Sequence, residues 1–371
     1  MIFDVIKKDD EYPARLGIIK TSRGDIETPV FMPVGTAGAV KALTPKDLKE
    51  LNAAIILGNT YHLFLRPGLE ILKSFGSLHR FISWDRPMLT DSGGFQLYSL
   101  KGNTKINEKG VEFQSHIDGS RFFLSPEDVV DIQSVFDSDI QMALDYFAPY
   151  PAAKEQDRYA LQITHHWAER ARDRFLKINK NNAQFAIIQG GIHPDLREES
   201  LKTLCRIGFD GYAVGGLSIG ETRNELQDII SFLLPLMPAD KPRYLMGNGM
   251  PEEILFAVEK GIDMFDAVIP TRSARNGLLF TTRGKLTIKN ERFKTDHEPP
   301  DNECTCYTCR NFSRAYLRHL YQAKEINAAI LNSIHNVHFY LDFMSKIRYA
   351  IRYAKFKEFK TNFLSNYNKG V

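Results

Sequence analysis

A closed (β/α)8 TIM-type barrel is the fold class that this sequence predicts, and three observations carry the prediction. Short apolar runs alternate with helix-like segments at a regular beat, eight such runs can be counted, and no glycine-rich dinucleotide fingerprint follows an early run. The apolar runs end near Pro33, Asn59, Asp91, Asp145, Gln189, Gly215, Met246 and Asp266. Helix starts between them are marked by Thr44-Pro45, Ser125-Pro126, His193-Pro194 and Met250-Pro251, where proline tolerates the first helical position. Two features interrupt the beat. An N-terminal segment, Arg15 to Val30, turns at Ser22-Arg23-Gly24-Asp25 and reads as a β-hairpin capping the barrel floor. A cysteine-rich stretch from about Leu279 to Asn311 reads as a subdomain inserted after the eighth strand and before a long final helix. The chain is otherwise expected to be a single domain over 1–371, with 371 residues ample for a barrel carrying insertions.

Composition narrows the classes. With 43% hydrophobic and 25% charged residues, no signal-like apolar start and no run approaching a membrane span, the expectation is a cytoplasmic protein without membrane contact. Four cysteines, three of them in Cys304-Thr305-Cys306-Tyr307-Thr308-Cys309, are too few and too clustered for a secreted disulfide scaffold. The formal charge of +3 says little about nucleic acid, but its distribution says more. Seven basic residues stand against Glu291 between Ala267 and Lys294, and seven against two acids from Leu341 onward. Such runs are commonly solvated faces; a phosphate-binding surface is the sharper reading.

In a barrel, catalytic groups sit where strands end at the C-terminal face. Asp91, Asp145 and Asp266 each fall at such an end. A lone aspartate after a strand is usually a cap or turn former, yet three on separate strands weaken that explanation. Carboxylates around one mouth suit acid, base or nucleophilic work at a glycosidic carbon, where an oxocarbenium-like transition state needs negative charge nearby. The pairs Gly93-Gly94, Gly190-Gly191 and Gly215-Gly216 let a flat ligand approach the backbone. Gln189 and Asp145 offer an amide and a carboxylate for a purine edge, and Phe95 with Met246 offer faces to sandwich it, with ordinary core packing the alternative for both. Cys304, Cys306 and Cys309 form C-x-C-x-x-C, a metal signal lacking a fourth ligand; His297, His319, His335 and His338 are all candidates by chemistry.

These residues lie in longer motifs: FMPVGT (31 to 36), TDSGGFQ (90 to 96), ALDYFAPYPA (143 to 152), IIQGG (187 to 191), YAVGGLSIGE (212 to 221), YLMGNG (244 to 249) and FDAVIPTRSARNG (265 to 277). With the cysteine cluster, they make the sequence resemble the queuine tRNA-ribosyltransferase family of bacterial-type tRNA-guanine transglycosylases, from about Ile18 to His335. The resemblance implies a TIM barrel and a pentosyl transfer that exchanges guanine at the anticodon wobble position of tRNAs with GUN anticodons, those for aspartate, asparagine, histidine and tyrosine. The incoming base would be 7-aminomethyl-7-deazaguanine, a step in queuosine biosynthesis.

By the same resemblance Asp266 is the nucleophile and Asp91 the general acid/base, with a covalent ribosyl-enzyme intermediate between two displacements. Asp91, Ser92, Gly93, Gly94, Phe95, Asp145, Gln189, Gly216, Leu217 and Met246 would bind the base. Gly247, Asn248, Gly249, Met250, Pro251, Glu252 and Glu253, with Thr271, Arg272, Ser273, Ala274 and Arg275, would contact RNA. Cys304, Cys306, Cys309 and His335 would hold one structural zinc ion in a subdomain spanning 279–338, and the enzyme would act as a homodimer. Three positions depart from the family's habit: Phe95 replaces a tyrosine, Phe147 a cysteine and Met250 a lysine. Ile219 fills a position that is small where the base is bulky queuine, so it favours the smaller aminomethyl base. A retaining glycoside hydrolase fits the acids but not the cysteines or the purine-reading groups, and a non-catalytic RNA-binding subunit would have lost the paired aspartates.

Overall fold

The computed structural model describes residues 2–99, 104–178 and 181–370. The chain opens with an antiparallel sheet of β1 (Ile2–Lys8), β2 (Arg15–Thr21) and β3 (Gly24–Thr28). The expected hairpin is β2–β3, and β1 adds a third strand that its alternation does not announce. Next come β4 (Val30–Gly35), β5 (Ile56–Asn59) and β6 (Met88–Asp91), then an antiparallel excursion of β7 (Lys105–Asn107), β8 (Gly110–Gln114) and β9 (Arg121–Leu124). The remaining parallel strands are β10 (Ile140–Met142), β11 (Ala183–Ile188), β12 (Gly211–Val214), β13 (Arg243–Leu245) and β14 (Met264–Ala267). They close with β4, β5 and β6 into one eight-stranded barrel. All eight expected strands are therefore present, although β10 stops at Met142 and leaves Asp145 three residues beyond it on the following loop.

The helix starts follow the expected chemistry. Thr44 and Ser125 cap helices Pro45–Glu50 and Pro126–Phe136, each in a capping box closed by Asp47 or Asp128. His193 and Met250 precede Pro194–Ile207 and Pro251–Glu259, again with proline in the first turn. Because helices cover the outside, the strands are buried on both faces and read as unbroken apolar runs.

Parity along those runs decides what reaches the mouth. Met32, Leu57, Leu89, Ile187, Ala213, Tyr244 and Met264 belong to the cluster that fills the barrel. Phe31, Ile188, Val214, Leu245 and Phe265 pack outward against the helices. With a side-chain period of two, the next inward positions are Asn59, Asp91, Gln189, Gly215, Met246 and Asp266. The same rule that builds the core delivers polar groups to the open end.

The N-terminal sheet closes the other end, where Ile19 and Ile26 join the barrel cluster. Arg15 holds Asp263 at 2.6 Å and donates to Ala239 O and Lys241 O at 2.6 and 2.8 Å, just below the starts of β13 and β14.

After β14 the helix Ile269–Arg275 leads into a hairpin of β15 (Leu278–Thr281) and β16 (Gly284–Thr287) and the helices Tyr307–Asn311 and Arg314–Gln322. Leu279, Leu286, Ile288, Phe293, Leu317 and Leu320 give this region a small core of its own. The long helix, Ile326–Arg352, is not the last one: the chain turns at Ala354 (φ 55°) and adds Phe356–Tyr367.

Candidate active site and metal centre

At the end of β6, Asp91 accepts hydrogen bonds from Asn59 Nδ2 (2.6 Å), Thr60 N (3.1 Å) and Gly93 N (3.0 Å). Burial, reinforced by the negative charge of Asp266, pushes its carboxyl up to about 7 despite those donors. The two aspartates, on β6 and β14, thus sense each other across the mouth. Asp266 takes Tyr244 Oη–H (2.6 Å) and Gly247 N–H (2.8 Å) on the same oxygen, Oδ1. Among the described residues no hydrogen bond reaches Oδ2, which leaves one carboxylate oxygen presented to the mouth. Burial raises this carboxyl too, and burial with the adjacent Asp266 charge holds the Tyr244 phenol far above its ordinary range, so the phenol stays a donor.

The loop after β10 brings Asp145 back over the mouth. Ser92 Oγ donates to its Oδ1 (3.1 Å) and Gln189 Nε2 to its Oδ2 (2.7 Å), while burial lifts the carboxyl to about 6. Gln189 Oε1 is buried against Gly216 without a hydrogen-bond partner. Two glycines are required by contact. A Cβ on Gly94 would lie 2.6 Å from Asp145 Oδ1, and one on Gly216 (φ +63°) would lie 2.2 Å from Gln189 Oε1. Leu217 is buried beside them.

Phe95 is half-exposed, its ring nearly parallel to that of Phe147 at 6.2 Å between centroids. Met246 is only partly buried, at the top of the barrel cluster. A small cavity of ≈ 60 Å³ opens alongside, lined by Phe147, Gln189, Gly216, Ile219, Tyr150 and Asp157 among others.

The two segments expected to meet RNA flank Asp266. In the first, Gly247 is exposed, Asn248 is buried with its side chain on Glu253 (2.9 Å), and Gly249 O accepts from Tyr340 Oη at 2.5 Å. Pro251 is buried, while Met250 is partly exposed; Glu252 and Glu253 occupy the first helical turn, where the helix dipole favours acids. In the second, Thr271 and Ala274 pack inward, whereas Arg272 is exposed and Ser273 and Arg275 partly so. Burial and the neighbouring Arg272 lower the Arg275 guanidinium.

The two basic runs now separate. From Leu341 onward, Lys346 pairs with Asp342, Arg348 and Arg352 with Glu27, Lys357 with Glu11 and Lys360 with Glu259. Between Ala267 and Lys294, Lys294 pairs with Glu291, and among the described residues Arg272, Arg275, Arg283, Lys285 and Lys289 form no ion pair. The C-terminal run is thus largely engaged within the fold, tying the last helices to Glu11 and Glu27 of the N-terminal segment and to Glu259 of the helix Pro251–Glu259.

The ligand atoms of Cys304, Cys306, Cys309 and His335 all lie within 4.8 Å of one another. His335 Nδ1 is 3.7, 3.7 and 3.2 Å from the three sulfurs in that order. A tetrahedral centre with bonds of about 2.0 Å to nitrogen and 2.3 Å to sulfur has S···N edges of about 3.5 Å, so the four groups suit a metal ion. His335 Nε2 lies 2.8 Å from Phe280 O, which turns Nδ1 toward the thiols. His338 Nδ1 comes within 3.4 Å of Cys304 alone, and His297 and His319 stand outside the cluster.

Residue-level reasoning did not find Tyr244, Asn59 as an Asp91 ligand, or Thr60. Parity would have found the first two, since Tyr244 and Asn59 sit at inward positions; the Thr60 amide carries no sequence signal.

Carboxylates converging on a barrel mouth beside backbone amides suit an enzyme site, and the separate cluster of three thiols and His335 suits a metal ion. The family model described as Queuine tRNA-ribosyltransferase matches residues 9–369. The chain is 53% identical over 368 residues to the queuine tRNA-ribosyltransferase of Caldanaerobacter subterraneus subsp. tengcongensis, covering 98% of this chain and 97% of that one. It is 51% identical over 371 residues to that of Neisseria meningitidis serogroup A, covering 100% of both. The chain belongs to the queuine tRNA-ribosyltransferase family, the tRNA-guanine transglycosylases, and is an enzyme of that family. No described helix is long and apolar enough to cross a membrane.

Proposed function

We propose that this enzyme exchanges guanine at the wobble position of GUN-anticodon tRNAs for 7-aminomethyl-7-deazaguanine, a step of queuosine biosynthesis carried out in the cytoplasm. The observation that carries the reading is the pairing of Asp266, with one oxygen held and one presented, against a high-pKa Asp91 across the same mouth. Asp266 Oδ2 attacks the ribose anomeric carbon, the glycosidic C–N bond breaks, and guanine leaves with the bonding pair and a proton from Asp91. In the second displacement Asp91 takes a proton from the incoming base, whose nitrogen attacks the same carbon and releases the Asp266 carboxylate. Esterification removes the charge of Asp266, which lowers the Asp91 carboxyl and turns the acid into the required base.

Asp145 accepts from the ring N–H and amino group, the second Nε2 hydrogen of Gln189 and the Gly216 amide donate to the carbonyl oxygen, and Leu217 O receives the aminomethyl group. Ser92, Gly93 and Gly94 form the wall under the ring, with Phe95 and Met246 on its faces. Arg272 and Arg275, with Ser273, position the phosphates, and the 247–253 segment offers backbone more than carboxylates. Zinc suits the Cys3His set, held in a subdomain over 279–338 that plays no part at the reacting carbon. A homodimer is supported by the exposed Tyr307 and Tyr316, whose rings both pack on Phe312; sedimentation checks it.

The direct test is incorporation of labelled guanine into a tRNA transcript with guanosine at the wobble position, beside one with that guanosine replaced. Label entering only the first, and chased out by 7-aminomethyl-7-deazaguanine, is the expected result; no incorporation despite tRNA binding defeats the proposal. Two further outcomes follow from the geometry. Because the acid form of Asp91 serves the first displacement and is lost above about 7, kcat/KM for tRNA should fall above that pH. The limiting slope should be about tenfold per pH unit, and a flat profile across neutral pH would remove Asp91 from the role. Ile219 lines the cavity beside Gln189 and Gly216, so Ile219→Gly should admit queuine as an incoming base. Unchanged exclusion of queuine would shift the block to Phe147.

A further inference from the structure

The helix Pro194–Ile207 sends inward a charged side chain that no step above uses. Arg197 is fully buried, and burial lowers its guanidinium only to about 10, so it is charged at neutral pH. Asp157 and Glu221 balance that charge at longer range, without a direct ion pair. Burying an unpaired guanidinium is costly and is tolerated where its hydrogen bonds are good. Nη1 donates to Ile188 O and Gly215 O, both at 2.7 Å, and Nε donates to Gly191 O at 2.8 Å, while Nη2 is buried without a partner. Those carbonyls lie on either side of Gln189 and immediately before Gly216. One turn further along the helix, Ser200 Oγ accepts from Gln189 N at 3.2 Å.

The arrangement ties two neighbouring barrel strands together just below the edge that meets the base. Gln189 Oε1 and the Gly216 backbone are so close that a single added carbon at Gly216 would collide at 2.2 Å. A shift of one strand end against the other would therefore misplace both groups at once. From this geometry we infer that Arg197 is a positioning residue for base recognition: its guanidinium fork fixes the ends of β11 and β12 so that Gln189 and the Gly216 amide converge on the base carbonyl. A planar fork with several fixed donors spans the carbonyls; the single ammonium of lysine cannot. The inference rests on the guanine-exchange reading and adds to it a residue outside the pocket that sets base affinity.

The test is guanine-exchange kinetics of wild type, Arg197→Lys, Gln189→Ala and the double variant, each checked for folding by thermal melting. In Arg197→Lys the KM for guanine should rise ~10- to 100-fold, the scale of a misplaced binding group, while KM for tRNA stays within about twofold. A purely structural role would move the melting temperature and both KM values together. In the double variant, Arg197→Lys should add less than about twofold to the guanine KM of Gln189→Ala, because both act on the same contact. A folded Arg197→Lys with unchanged guanine KM, or full additivity in the double variant, overturns the inference while wild-type exchange keeps the function. Absence of exchange by wild type overturns both. Should Arg197→Lys not fold, Ser200→Ala carries the test: the guanine KM should rise ~3- to 10-fold on loss of one hydrogen bond, and an unchanged value overturns the inference.

Discussion

Asp266→Asn should abolish base exchange, lowering kcat at least ~10⁴-fold, and should leave no denaturation-resistant RNA adduct. The carboxylate is asked to form a bond to carbon, and an uncharged amide oxygen is a far weaker nucleophile. The geometry makes this substitution unusually clean. Both hydrogen bonds to the native side chain, from Tyr244 and Gly247, fall on one oxygen, and an asparagine carbonyl can accept both. Burial raises the Asp266 carboxyl, which means the folded protein disfavours its charge. The neutral variant should therefore melt no lower than wild type, and near neutral pH somewhat higher. Loss of exchange with unchanged or raised stability separates chemistry from folding. An adduct of undiminished yield would sink the assignment of Asp266 as nucleophile, and a large drop in melting temperature would mean that its charge serves the fold instead.

How much of this was legible before the structure depends on what kind of signal each element carries. Buried parallel strands announce themselves as short apolar runs, and proline after a capping residue marks helix starts, so the eight strands and four of the helix starts follow from the sequence. The β7–β9 sheet was not found because its strands are three to five residues long, with polar and exposed positions such as Lys105, Asn107 and Arg121, which resemble a loop. The strand β1 escaped for a similar reason: Asp4, Lys7 and Lys8 mask its alternation, and Ile6 is exposed. In the site, residue type and expected position at a strand end singled out Asp91, Asp145 and Asp266, although Asp145 lies on the loop past β10. What sequence cannot carry is convergence between distant segments: Asn59 on Asp91, Tyr244 on Asp266, and Arg197 on three backbone carbonyls. The four histidine candidates for the metal illustrate the same limit, since choosing among them requires knowing that Phe280 O turns the His335 ring toward the thiols.

Cys306→Ser should strip the metal and loosen the RNA-facing side of the molecule before it alters base selectivity. Cys306 is 3% exposed, caps the helix Tyr307–Asn311 by accepting from Cys309 N, and sits 3.7 Å from His335 Nδ1. A serine hydroxyl can keep the cap, but it does not ionise near neutral pH and is a poor ligand for a thiophilic ion, so the loss falls on the metal. That metal would fasten the 304–309 segment to the long helix Ile326–Arg352. From the same helix Asn332 donates to Ala274 O (3.3 Å), Asn336 to Pro270 O (2.9 Å) and Tyr340 to Gly249 O (2.5 Å). The helix thus supports both segments that flank Asp266, the segments proposed above to contact RNA. Structural zinc contributes about 10 to 16 kcal/mol of apparent binding energy in small domains, and here part of the fold persists without it, so a loss of ~3 to 5 kcal/mol is expected. Emission spectrometry should find about one metal ion per wild-type chain and far less in the variant. Thermal melting should show the destabilisation, and below the variant's transition KM for tRNA should rise while KM for guanine stays near the wild-type value. Retained metal with unchanged melting would show that Cys306 is not a ligand. A change confined to guanine would place the metal's influence at the base pocket instead of the RNA-facing helix.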